Sequence, residues 1–140
     1  MDEKTIICDT DVIIDYWNQN SNRHSFTKEV LENFIGLENV MLSAMTKMGL
    51  IVGAKNKDEL NRINKNVHQF NIALINDNIT NSAIGLLQLD KLSHGLAIPD
   101  AIIAATSIMV RAELFTFNVK DYKFINGLTF FNPVNKEQKQ

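Results

Sequence analysis

Short apolar segments alternate with longer helical segments along the chain, and this alternation restricts the fold more than any other feature. Apolar runs of strand length occur at residues 5–9, 39–43, 71–75, 113–117 and 127–133. Most of the segments between them show the helical spacing of apolar residues. Alternating strands and helices are typical of a parallel sheet with helices on both faces. The sequence therefore predicts an α/β protein, a three-layer α/β/α sandwich with a mostly parallel sheet of about five strands.

The length and composition fit one such domain. The chain has 140 residues, and we assign 1–134 to a single domain and 135–140 to a flexible C-terminal tail. A formal net charge of -2 argues against extensive electrostatic wrapping of nucleic acid, although a local basic patch is compatible with it. The sequence shows neither a long apolar signal segment nor an apolar run of roughly 20 residues. We therefore expect a cytoplasmic protein that does not bind a membrane.

Polar side chains follow the first and the fourth predicted strand. Asp9 and Asp11 come directly after the first apolar run, and Thr116, Asn118 and Asp121 come at or just after the end of the fourth strand. In a parallel sheet the carboxyl ends of the strands share one edge, and ligands bind beyond that edge. The sequence therefore predicts that these two groups meet at one site.

A further acid, Asp100, lies in the first turn of the predicted helix at 99–112. The helix dipole alone makes an acid favourable there, but the small residues of this helix also predict close packing on the sheet near the strand ends. Carboxylates that converge repel each other unless a cation neutralises them. Oxygen ligands suit Mg²⁺ or Mn²⁺, whereas the scattered histidines and the lone Cys8 predict no zinc site and no disulfide.

Four segments together resemble PIN-domain proteins, most closely the VapC-type toxins of prokaryotic toxin–antitoxin pairs. They read "ICDTDVIID", "LSAMTKMGLIVGA", "GLAIPDAIIAATSIMV" and "LFTFNVKDYKFINGLTFFNP". In this order they extend the resemblance over nearly the whole chain. The resemblance implies an α/β/α sandwich, cleavage of RNA that depends on Mg²⁺ or Mn²⁺, a cognate antitoxin and a homodimer.

The resemblance also implies roles for individual residues. Asp9 corresponds to the family's first metal-binding acid, and Asp100 corresponds to the acid of its late helix. Thr116 and Asn118 correspond to the polar pair after the fourth strand, where many members have Asp in place of Asn. Asp121 corresponds to a frequent acid just beyond that pair. We therefore predict a metal held by Asp9 and Asp100, with the other three residues completing the catalytic site.

Two positions depart from the family pattern. Asp11 stands where the family often has Asn or Ser, so its role stays open. Gly49 stands where the family has a Glu on the helix after the second strand, and a glycine inside a helix costs about 1 kcal/mol relative to alanine. Three explanations for Gly49 stay open. They are close helix packing through Gly49 and Gly53, a naturally impaired member of the family, and a sequence altered to silence a toxic activity.

Three functions therefore remain open. The first is a toxin-type ribonuclease, and the second is a catalytically inactive PIN domain that binds RNA or an antitoxin, which Gly49 favours. The third is a phosphatase of the haloacid-dehalogenase type, in which Asp9 and Asp11 supply the nucleophile and the acid. That fold requires a later lysine and a late acidic pair, and "NVKDY" offers one acid.

An antitoxin helix requires an apolar groove on the toxin. Several apolar residues in the predicted helices between 26 and 51 could either cover such a groove or belong to the core, namely Phe26, Leu31, Phe34, Met45, Met48 and Ile51. The basic residues between 47 and 65 are interleaved with acids, which favours a solvated helix over an RNA-binding surface.

Overall fold

A computed structural model describes residues 4–133, and the predicted tail lies outside them. Four strands form one sheet in the order β3-β2-β1-β4, and every neighbouring pair is parallel. The strands are β1 (Ile6–Cys8), β2 (Val40–Ser43), β3 (Asn71–Ala73) and β4 (Glu113–Phe115). The predicted fold class is confirmed.

Helices connect the strands, as parallel pairing requires. They are α1 (Thr10–Trp17), α2 (His24–Glu29), α3 (Ala44–Val52), α4 (Lys57–Val67), α5 (Asp77–His94) and α6 (Ile98–Val110). Local sequence sets several of their ends: the Ser43 side chain accepts from the backbone N–H of Met45 to begin α3, and Gly95 ends α5 in the left-handed conformation at φ 71°. Among residues 4–133, no helix has the length and apolarity that crossing a bilayer requires.

The strands bury side chains on both faces of the sheet, which produces two separate cores. In β1, Ile6 and Cys8 belong to the core under α1 and α4, whereas Ile7 belongs to the core under α5 and α6. In β4, Phe115 belongs to the first of these cores and Leu114 belongs to the second. Helix α6 contributes fully buried alanines to the second core and therefore lies close to the sheet, as its small residues predict.

The predicted fifth strand is wrong. Residues 127–133 run beside β4 but make a single parallel bridge, between Phe130 and Leu114. Leu114 donates its N–H to the Thr129 carbonyl and accepts from the Phe131 N–H, each at 2.9 Å. The segment pairs with only one residue of β4, so the sheet has four strands.

The sequence "SFTKEVLENFIGLE" predicts one amphipathic helix over residues 25–38, and the structure divides this segment. After α2 the chain widens into a π-helix, Val30–Ile35, and Gly36 ends it at φ 87°. A π-helix places residues five apart on one face, so Val30 and Ile35 are buried together, and Leu31 beside Val30 is also buried. A regular α-helix over these residues would instead bury the side chains that a 3.6-residue period places on one face.

One glycine inside α5 and the glycine that ends it give a matched test of backbone conformation. A methyl group at either Gly85 or Gly95 would meet no atom within 4 Å. Gly85→Ala is expected to raise the free energy of unfolding by up to about 1 kcal/mol, because alanine is the better helix former. Gly95→Ala is expected to lower it by about 1 kcal/mol, because alanine is strained in the left-handed region. Denaturant unfolding of both variants checks this, and changes of the same sign would contradict it.

Candidate active site at the carboxyl edge of the sheet

The topological switch point of the sheet lies between β1 and β4. From β1 the chain proceeds to β2 on one side, and β4 joins the sheet on the other side of β1. Such a topological switch leaves a crevice beyond the carboxyl ends of the two strands, where α/β proteins bind ligands. Asp9 follows β1 at this point and Thr116 follows β4, so the crevice is polar from both sides.

Asp9 is the centre of the hydrogen-bond network in this crevice. Its Oδ1 accepts from the backbone N–H of Thr10 at 2.7 Å, which caps α1. Its Oδ2 accepts from the Thr116 hydroxyl at 2.8 Å and from the Tyr122 hydroxyl at 3.0 Å. The side chain is buried, at 6% exposure. Asp9 therefore links the ends of β1 and β4 through a charged group that water barely reaches.

Tyr122 connects Asp9 to Asp100. Its hydroxyl lies 3.1 Å from Oδ1 of Asp100, in addition to the contact with Asp9. Asp100 is in the first turn of α6, which begins at Ile98 with Pro99 in its first turn. The predicted pair of acids therefore meets on one buried hydroxyl.

The electrostatics of this group are unfavourable without a positive charge. A tyrosine hydroxyl has one proton, so it can donate to only one of the two carboxylates at a time. Burial raises the pKa of Asp100; the hydrogen bond from Tyr122 opposes this rise, and the nearby charges of Asp9 and Asp121 add to it. Burial and the two acids raise the pKa of Tyr122 far above its usual value, so the hydroxyl keeps its proton. Converging acids of this kind favour a cation between them.

Asp11 faces the segment that follows β4. Its Oδ2 accepts from the backbone N–H of Phe117 and from Nδ2 of Asn118, both at 3.1 Å. Its Oδ1 is buried and has no hydrogen-bond partner in the described part of the chain. Burial and the charge of Asp9 raise the pKa of Asp11 to about 6, against the opposing effects of the Phe117 and Val12 N–H groups and of Arg23.

The structure brings most of the predicted site residues together. Asp9, Thr116 and Asp100 belong to one network, and the backbone N–H of Asn118 donates to the Thr116 hydroxyl at 3.0 Å. Asp121 acts on Asp100 through its charge. The roles predicted for these residues remain predictions. Within residues 4–133, no three His, Cys, Asp or Glu side chains are grouped closely enough to hold a metal ion.

Tyr122 is a residue of this network that was not predicted from the sequence. It immediately follows Asp121 in "NVKDY", and a short 3₁₀ turn, Val119–Asp121, returns the chain toward the sheet so that Tyr122 is buried at 1% exposure. A buried tyrosine next to predicted site acids was the available signal, because a buried hydroxyl requires a hydrogen-bond partner.

Gly49 lies on α3, three residues after the fully buried Thr46. The Thr46 hydroxyl accepts from the hydroxyl of Thr10, next to Asp9, at 3.2 Å. A Cβ atom at position 49 would meet nothing within 4 Å. The packing explanation for this glycine is therefore wrong, because no neighbour requires the absence of a side chain.

The space beside Gly49 forms part of a cavity of about 530 Å³ between α1, α3 and α4. Its apolar lining comes from Ile14, Trp17, Leu50 and Ile63, and Gly49 and Gly53 leave room on the α3 side. Of the two roles left open for the apolar residues at 26–34, the structure shows the core role, because Leu31 is fully buried and Phe26 and Phe34 pack against the first core.

Sequence comparison identifies the family. The PIN domain family matches residues 6–124, which is most of the chain. The chain belongs to the PIN domain family, as the sequence resemblance predicts. This membership disfavours the phosphatase alternative. No curated protein matches the sequence.

Solved structures with the same fold include several toxin–antitoxin complexes. A chain of a toxin–antitoxin complex from Klebsiella pneumoniae is 30% identical with a TM-score of 0.71, over 89% of this chain and 96% of that one. FitAcB from Neisseria gonorrhoeae is 24% identical with a TM-score of 0.72, over 93% and 99%. A sarcin–ricin loop-cleaving VapC toxin from Mycobacterium tuberculosis is 13% identical with a TM-score of 0.69, over 86% and 97%. The predicted resemblance to VapC-type proteins is confirmed.

The two tyrosines of the chain allow a controlled test of the buried network. Each donates to a carboxylate, but Tyr122 is buried between two acids whereas Tyr16 donates to Glu32 at the surface at 2.8 Å. Tyr122→Phe is expected to lower the free energy of unfolding by about 1.5–3 kcal/mol, because it removes a hydrogen bond from buried charged groups. Tyr16→Phe is expected to cost less than about 1 kcal/mol, because water replaces the lost donor. Similar losses for the two variants would contradict the network.

Proposed function

We propose that this protein is an endoribonuclease that serves as the toxin of a toxin–antitoxin pair. The observation that carries the proposal is the convergence of Asp9 and Asp100 on the Tyr122 hydroxyl, at the topological switch point of a PIN fold. The RNA-cleaving activity named for the Mycobacterium tuberculosis relative supports the substrate class. The proposal covers RNA as substrate and hydrolysis of a phosphodiester bond as the reaction.

The donors at this site fit Mg²⁺ or Mn²⁺. They are carboxylate oxygens, and Mg²⁺ is commonly held by only one or two carboxylates together with water and substrate phosphate. Asp9 and Asp100 would hold the ion, and its positive charge would offset the burial and the neighbouring negative charges that raise the pKa of Asp100. A bound divalent cation would supply a polarised water and a positive charge at the scissile phosphate.

The remaining residues of the site have positioning tasks in this proposal. Thr116 and Tyr122 donate to Oδ2 of Asp9 and so fix the orientation of that carboxylate. Asn118 and Asp121 lie on the chain directly after Thr116, where they would orient water or a second ion. Asn118 and Asp121 would thus act on water or ions next to the cation that Asp9 and Asp100 hold.

Gly49 limits the activity that we expect. In this chain two carboxylates, those of Asp9 and Asp100, contact the Tyr122 hydroxyl. The Glu of the family pattern would add a third carboxylate to the site. A cation with fewer ligands is held less firmly and activates water less. An inactive PIN domain that binds an antitoxin is therefore the alternative that the open space at Gly49 favours.

Restoring the acid tests the nuclease proposal. The Cα–Cβ bonds of a helix point toward its N-terminus, so a Glu at 49 would extend toward Thr46 and the strand ends. Gly49→Glu is expected to raise Mg²⁺-dependent RNA cleavage by at least about tenfold, since each ~1.4 kcal/mol of transition-state stabilisation changes the rate tenfold. Cleavage of radiolabelled RNA with Mg²⁺ and with chelator provides the measurement.

Two variants control this assay. Gly85→Glu adds the same charge and helix propensity on α5, where a Cβ also meets no atom within 4 Å, and it should cleave like the parent. Adding Asp9→Asn to Gly49→Glu should abolish the gained activity. Equal cleavage by the parent and Gly49→Glu would show that the site works without this acid. No cleavage by either protein would favour the inactive alternative.

We further propose that an antitoxin occupies the cavity between α1, α3 and α4. Its apolar lining, together with Gly49 of α3 and Gly53 at the end of that helix, suits an apolar side chain from a partner segment. The toxin–antitoxin complexes among the similar structures support a partner of this kind. We propose separately that the protein forms the homodimer that the sequence resemblance implies.

Co-expression with the small protein encoded beside this gene tests the partner. The two chains should purify as one complex, and light scattering of that complex would give its copy number. Gly53→Phe should fill the cavity and reduce recovery of the partner severalfold, whereas Gly85→Phe on α5 should leave recovery unchanged. A parent protein that does not retain the neighbouring gene product would contradict the antitoxin proposal.

A further inference from the structure

Asp11 and Asn118 form a contact between the first turn of α1 and the segment after β4. Oδ2 of Asp11 accepts two hydrogen bonds from that segment, one from the Phe117 N–H and one from the Asn118 side-chain amide, each at 3.1 Å. The two residues are 107 positions apart in the sequence, so only the tertiary fold brings them together. Both are linked to Asp9: Asp11 follows it by two residues, and the Asn118 N–H donates to the Thr116 hydroxyl that contacts Asp9.

The chemistry of this contact is directional. An ionised carboxylate can only accept hydrogen bonds, whereas a side-chain amide has a donor end and an acceptor end. Asp11 therefore attracts the NH₂ end of Asn118 and would repel the carbonyl end. An asparagine or serine at position 11 could satisfy either end of the amide, and the amide would then have no single preferred orientation.

We propose that Asp11 is a positioning residue that holds the NH₂ group of Asn118, so that Asn118 presents its carbonyl oxygen to a cation or water at the Asp9–Asp100 site. A carbonyl oxygen is a suitable ligand for Mg²⁺ or Mn²⁺ and a suitable acceptor for a water proton. The inference deepens the proposed function and rests on it where the cation is concerned. The contact itself can be tested without any metal.

Exchange of the two side chains tests the contact in chelator. Asp11→Asn removes the charge that the amide binds, and Asn118→Asp places two carboxylates together. Each single variant should lower Tm by roughly 3–6 °C. The double variant Asp11→Asn with Asn118→Asp rebuilds an amide–carboxylate pair with reversed polarity, and its Tm should return to within about 2 °C of the parent. A double variant that loses the sum of the two single losses would overturn the contact.

Metal affinity tests the positioning role. Mn²⁺ binding is followed by the electron paramagnetic resonance signal of the free ion. Asp11→Ala should weaken binding about tenfold, as loss of a residue that orients a ligand does. In an Asn118→Ala background the same change should weaken binding less than about twofold, because there is no amide left to orient.

The possible results distinguish the positioning role of Asp11 from the cation proposal. An equal effect of Asp11→Ala with and without the Asn118 amide would overturn the inference, since Asp11 would then act through its own charge. A parent that binds no Mn²⁺ would overturn the cation proposal together with the positioning toward a cation. The Tm exchange would still decide whether Asp11 and Asn118 hold each other.

Discussion

The buried carboxylate of Asp9 is the group on which the arrangement of the site depends. A charge with 6% exposure is tolerated only when donors replace the water it loses. Its three donors come from three parts of the chain: the Thr10 N–H at the start of α1, the Thr116 hydroxyl after β4, and the Tyr122 hydroxyl beyond the 3₁₀ turn. Satisfying this one charge therefore orders the ends of β1 and β4 relative to each other.

The same requirement produces a site with unbalanced charge. Tyr122 joins Asp9 to Asp100, and the pKa values of Asp100 and Asp11 are both raised chiefly because burial disfavours their charged forms. The fold accepts this electrostatic cost at the crevice where a parallel sheet exposes its strand ends. Raised carboxylate pKa values in a crevice are typical of a functional site, and they are the feature that the proposed cation would relieve.

At position 49 the chain keeps the fold of its family but has a glycine where the sequence resemblance places an acid. The fold around Gly49 is intact, with α3 capped by Ser43 and Thr46 bonded to Thr10, yet the space that a side chain would occupy is open. This space continues into the apolar cavity between α1, α3 and α4. The glycine therefore leaves open a part of this cavity that any other residue at position 49 would enter.

Local sequence was sufficient for the fold class and for the proximity of several polar side chains at one edge of the sheet. The alternation of strands and helices predicted the parallel sheet, and the edge rule for parallel strands placed Asp9 beside Thr116 without any coordinates. Asp100 was predicted from its position at the head of a helix of small residues, since such a helix packs closely on a sheet. These inferences succeeded because periodicity and helix termini are local properties.

The remaining features depend on contacts between distant parts of the chain. The segment at 127–133 has a strand-like sequence, but within the described residues it pairs with β4 only at Leu114. The hydroxyl of Tyr122 reaches both acids only after the 3₁₀ turn redirects the chain, and Asp11 meets Asn118 only because β1 and β4 are neighbours in the sheet. The sequence by itself determined which side chains could form a site and at which edge. The tertiary structure decided which of them share a hydrogen bond, because that depends on distances that no local pattern encodes.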